Sequence, residues 1–94
     1  MTPAELADEL ERFGGTPGER RAVARQAFDL LDSGRYRTDA DVELTPDRVL
    51  SELADAREGT PAERWNWWLG ALEVAYGGYA EFQVVRYRDD APEN

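Results

Sequence analysis

The chain of 94 residues contains no cysteine and no histidine, and its 11 basic residues are all arginine. Lysine and isoleucine are absent as well, and the only serines are Ser33 and Ser51. Each absence closes a route. Without cysteine there is no disulfide framework, no thiol nucleophile and no thiolate metal site. Without histidine or lysine to activate a hydroxyl, triad-type nucleophilic catalysis lacks its base. General acid–base work would rest on carboxylates alone. No apolar run is long enough to span a bilayer, and the opening stretch Met1–Phe13 lacks the apolar segment of a signal peptide, so the expectation is a cytoplasmic protein with no membrane association. Gly14-Gly15-Thr16-Pro17-Gly18 precedes a helix, but no strand or lysine accompanies it as a phosphate-binding loop requires. Asp39-Ala40-Asp41-Val42-Glu43 lacks the glycine and full spacing of a calcium loop. No cofactor, no metal and no catalytic residue are therefore expected.

What is abundant is acid. Twenty aspartates and glutamates against 11 arginines give a net charge of -9. The composition resembles that of proteins from salt-loving archaea. At about 1 M salt the Debye length falls to about 3 Å, and a crowded acidic surface then repels itself little. A GC-rich genome alone accounts for arginine over lysine but not for so large an acidic excess. The same charge disfavours nucleic acid as a partner, since phosphate must be neutralised by cations.

The dipeptide Thr-Pro occurs at Thr2-Pro3, Thr16-Pro17, Thr45-Pro46 and Thr60-Pro61. Threonine is a good N-cap and proline suits the first helical position, so these mark four helix starts. Three continue to glutamate at the third helical position, Glu5, Glu19 and Glu63, which predicts three capping boxes. Helices are expected over 3–13, 17–32, from 46 until Gly59, and over 60–76, the first two as an antiparallel hairpin. The last of these holds Trp65, Trp67 and Trp68. At about 100° per residue, Glu63, Asn66, Gly70, Glu73 and Gly77 share one narrow stripe and apolar residues fill the rest. That pattern predicts a helix enclosed on several sides, with the tryptophans as core. A stacking surface is the functional alternative for the cluster.

Two stretches read as strand. Residues 35–44 alternate charged with less polar side chains, the mark of a half-buried strand, and the assignment is firmest at Val42–Leu44. Tyr79–Arg88 is rich in aromatic and β-branched residues. Because an isolated strand leaves its backbone groups unpaired, the C-terminal one is expected to pair antiparallel with the first, with the same strand of a second copy across a two-fold axis, or with both. The fold class expected is thus α+β: four helices, as two hairpins around the tryptophan helix, with a small antiparallel sheet. Residues 1–88 form one globular domain in this reading, and 89–94 a disordered acidic tail.

The functional expectation is a small non-enzymatic protein-interaction module. Its partner is itself, as a homodimer, or another protein. The interface candidates are Tyr79, Val85 and Tyr87 on one face of the C-terminal strand and Phe82 on the other; one face can pack on the helices, and a lone small domain tolerates the other poorly in water. The alternative is an atypical nucleic-acid-binding regulator using a basic face of Arg35, Arg37, Arg86 and Arg88. Against it stands the simpler view that these arginines balance neighbouring carboxylates.

Overall fold

The computed structural model describes residues 1–85. All four threonine caps form. The hydroxyls of Thr2, Thr16, Thr45 and Thr60 accept from the amides of Glu5, Glu19, Arg48 and Glu63 at 3.2, 3.1, 3.1 and 3.4 Å. They start α1 (Pro3–Glu9), α2 (Pro17–Ser33), α4 (Pro46–Ala54) and α5 (Pro61–Ala75). A 3-10 segment, Leu10–Phe13, continues α1 to the Gly14-Gly15 turn. A fifth helix, α3 (Arg35–Ala40), follows α2 directly. Helix α1 packs on α2, and α2 and α4 both pack against α5.

The capping boxes close at Thr2/Glu5 and Thr60/Glu63, but not at Glu19. The Glu19 carboxylate turns away from its own helix and accepts from the amide of Ala62 at 2.8 Å, in the first turn of α5. It is 2 % exposed, the one buried charged side chain among the described residues. A helix N-terminus presents unsatisfied N–H groups and a positive dipole end, which is what a buried carboxylate needs. One side chain thus joins the starts of two helices that lie far apart in sequence. Gly15 makes room for the junction. Its φ is +79°, and a Cβ there would meet Glu19 Oε1 at 2.7 Å and Pro61 Cδ at 2.8 Å.

The expected sheet is absent: no strand forms among the described residues, and the fold is all-helical rather than α+β. Just before 35–44, Gly34 takes a left-handed conformation (φ 72°) and joins two helices. Ser33 Oγ accepts from the amide of Arg35 at 3.1 Å, and helix resumes. Tyr36 and Ala40 lie four residues apart, a spacing that satisfies period two and one helical turn alike. Tyr36 uses it to bury its ring against Trp68, with centroids 5.7 Å apart. Asp41, at φ 60°, ends the helix. Val42–Leu44 has no ladder partner among the described residues; Val42 is exposed and Leu44 is buried in the core.

The second expected strand begins as a 3-10 turn, Ala80–Phe82. Tyr79, Phe82 and Val84 point into the core while Ala80, Glu81 and Val85 face out, so the alternation expected of a strand is broken. The backbone groups that a neighbouring strand was to satisfy are satisfied by side chains of α5. Glu73 Oε1 accepts from the amides of Tyr79 and Ala80 at 2.7 and 3.1 Å. Trp65 Nε1 donates to the carbonyl of Phe82 at 2.8 Å. Arg86, Tyr87, Arg88 and the acidic stretch 89–94 lie outside the described residues.

Candidate functional site

Helix α5 has two faces with different work. Its inner face carries Trp65, Trp68, Leu69 and Leu72, all buried. The rings of Trp65 and Trp68 meet nearly edge-on, 5.6 Å between centroids. Asn66, at the border, binds the Val84 main chain twice, accepting from its amide at 2.9 Å and donating to its carbonyl at 2.8 Å. Arg64, on the other border, donates to the carbonyls of Leu53, Ala56 and Gly59, closing the C-terminal end of α4. Its guanidinium also stacks 4.5 Å from the centroid of Phe13.

The outer face carries Trp67, Gly70, Ala71 and Val74. These fall within about 100° on the helical wheel, between the two borders. Trp67 is 52 % exposed and Val74 is 90 % exposed. No charged residue interrupts them between Trp67 and Val74, and Glu63 stands one turn before Trp67 in the same sector. The helix is therefore not enclosed on several sides as its composition suggests: it is apolar on the face that meets water. Beside Trp67 lies an open groove of about 490 Å³, lined by Ala56, Arg57, Glu58 and Trp67. Apolar surface gathered on one helix face, next to a groove with one charge of each sign, suits contact with another macromolecule. Nothing in it resembles a reaction centre. Among the described residues no group of three or more acidic side chains gathers as a metal site.

The residues singled out from the sequence are placed as follows. Tyr79 is fully buried, with Tyr76 and Phe82 as ring neighbours at 6.3 and 6.5 Å. Its hydroxyl donates to Asp39 Oδ2 at 2.9 Å. Burial, and then the bond to Asp39, push the phenol well above the ordinary tyrosine range. Phe82 is buried as well. Val85 is exposed, and Tyr87 lies outside the described residues. Arg35 donates to the carbonyl of Gly78 at 2.6 Å and sits over the Tyr79 ring, while Arg37 pairs with Glu43 at 3.0 Å. Those two arginines thus serve the fold's own carbonyls and carboxylates. Arg86 and Arg88 lie outside the described residues. The structure brings Tyr79, Phe82 and Arg35 together, as a packed corner and not as a surface.

Sequence reasoning missed Trp67 and Val74 as surface residues. The sign was present: Trp67 stands about 40° from Glu63 and about 60° from Gly70 on the wheel, closer to the polar stripe than to Trp65. The general tendency of tryptophan to be buried outweighed position.

Fold and face together define a small all-helical domain with an exposed aromatic and aliphatic stripe on its longest apolar helix. The chain belongs to the WNWW domain family, whose model matches residues 1–73. Its own Trp65-Asn66-Trp67-Trp68 spells that description, and three of the four residues have structural work in α5. No match is found among curated proteins or among solved structures.

Proposed function

We propose that this chain is a small non-enzymatic interaction module, acting in the cytoplasm, whose docking face is the outer stripe of α5. The observation that carries the reading is Trp67. Trp65, Asn66 and Trp68 each have a structural role, in core packing or in holding residues 82–84. Trp67, in the same motif, spends half its surface in water, with Val74 two turns further along the same face. Tryptophans at protein surfaces are enriched at the energetic centres of interfaces, where a large rigid ring excludes water at low entropy cost. Among the described residues no helix is long and apolar enough to cross a membrane. The arginine-face reading has less support, because Arg35 and Arg37 are engaged within the chain.

The test is site-specific photo-cross-linking in cells, with the probe replacing Trp67 and, as control, replacing Arg25 on the exposed side of α2. A discrete cross-linked product from position 67 and none from position 25, with the bound chain identified by mass spectrometry, supports the docking face. Equal products from both positions, or none from 67, contradict it.

A further inference from the structure

We propose that the occupant of this face is a second copy of the chain, with the two α5 helices crossing antiparallel at Gly70 and Ala71. The inference rests on the docking-face reading and names its partner. It begins with Gly70. This glycine lies in mid-helix, without a positive φ, and a Cβ built on it would meet nothing within 4 Å. Glycine there costs helix propensity relative to alanine. Among the described residues nothing requires the missing side chain. Close approach by a backbone from outside does require it.

The stripe is also self-complementary. Trp67 and Val74 are seven residues apart, about 10.5 Å along the axis, and their midpoint falls between Gly70 and Ala71. A two-fold axis through that midpoint, perpendicular to the helix, lays Trp67 of each copy on Val74 of the other. The small pair sits at the crossing, where the backbones come closest. An isologous contact needs this match of one surface to itself. The bulky residues are then seated twice by one operation, and no like charges oppose one another along the stripe.

Of the two charges in the groove beside Trp67, Arg57 suits such a crossing and Glu58 does not. In the antiparallel arrangement the C-terminal turn of the partner's α5 runs past Trp67 towards Arg57 and Glu58. A helix C-terminus carries unsatisfied carbonyls and a negative dipole end, and a guanidinium is the group that suits it. Arg57 is exposed and lines that groove. Four stripe residues per copy make a contact below the usual size of a permanent dimer, so the pairing is concentration-dependent. Each copy also carries a net charge of -9, so salt strengthens it by screening their repulsion. A basic heterologous partner would respond in the opposite sense.

The absence of cysteine makes the test clean. Ala71→Cys and Val74→Cys are prepared singly in the full chain and oxidised in molar KCl. Both positions are exposed, and an unchanged circular dichroism spectrum checks the fold. In the antiparallel arrangement the two copies of position 71 flank the axis, within the Cα separation a disulfide spans. The two copies of position 74 stand about 10 Å apart along the axis, beyond that limit. The expected result is disulfide-linked dimer from Ala71→Cys in several-fold excess over Val74→Cys, lost at low salt. Equal linkage from both variants signifies a parallel pair and overturns the geometry. No linkage from either overturns the second copy as occupant. In that last case a heterologous product from the photo-probe at position 67 leaves the docking face standing, and its absence removes both.

Discussion

Asn66 holds Val84 by both main-chain groups at once, its amide donating at 2.8 Å and its side-chain carbonyl accepting at 2.9 Å. An asparagine side chain carries the same donor and acceptor pair as a peptide group, so one residue of a helix does for the C-terminal segment what a neighbouring strand does in a sheet. Asn66→Ala removes both bonds and leaves two partly buried groups unpaired. The expected loss is about 1–3 kcal/mol in urea unfolding, with Asn66→Asp intermediate because it keeps the acceptor.

Glu19 gives the second prediction. Glu19→Ala strips the Ala62 amide of its acceptor inside the core and should cost about 2–3 kcal/mol. Glu19→Gln retains one acceptor oxygen and should cost less. If Glu19→Ala matched wild type in chemical unfolding, the carboxylate would not be joining α2 to α5.

How much of this was legible in the sequence follows from where the instructions were local. The four helix starts were, because a threonine cap and a following proline act within one turn. The tryptophan helix as organising element was legible too, since its apolar content is extreme. Glu19 was not: its spacing from Thr16 fits a capping box, and only the approach of Pro61 and Ala62 diverts it. The two strands failed for related reasons. Tyr36 and Ala40 suit a strand and a helical turn equally. In Tyr79–Val85, aromatic content reflected burial against α5, and Glu73, Trp65 and Asn66 supplied the bonds that seemed to demand a sheet. Of the candidate site, the chemistry of the stripe was visible in Trp67 and Val74, but its exposure depended on α2 and α4 covering only one side of α5.

The pH dependence has a worked sign at both ends. Glu73 takes hydrogen bonds from the amides of Tyr79 first and then of Gly78 and Ala80, which hold its carboxyl below the usual glutamate range. A carboxylate with a depressed folded value stabilises above its unfolded pKa, near 4.3, and that contribution is lost as pH falls through the folded value. Tyr79 is displaced upward by burial and by Asp39, and Tyr36 upward by burial. A phenol raised on folding contributes fully below its unfolded pKa, near 10, and loses that contribution as pH rises through the folded value. Thermal midpoints should fall below about pH 4 and above about pH 10. Glu73→Gln should flatten the acid limb and Tyr79→Phe should reduce the slope of the alkaline one.

Salt tests the reading of the composition as adaptation to molar salt. With a net charge of -9, the midpoint should climb steeply as KCl rises from dilute to molar, since screening relieves repulsion among carboxylates. A flat or falling midpoint would reject it.

Gly70 separates the needs of one chain from those of two. Gly70→Ala places its Cβ in open space, so at low concentration the single chain should gain about 0.5–1 kcal/mol from helix propensity. The same methyl group keeps two crossing helices apart and should weaken self-association in molar KCl.

The most direct measurement is sedimentation equilibrium in molar KCl on wild type and on Val74→Glu. Val74 is 90 % exposed, so the variant should fold with an unchanged thermal midpoint when dilute. The account predicts that the average mass of wild type climbs with concentration towards twice the monomer value, while Val74→Glu stays monomeric. Wild type that remains monomeric throughout, or a variant that associates as well as wild type, would contradict it.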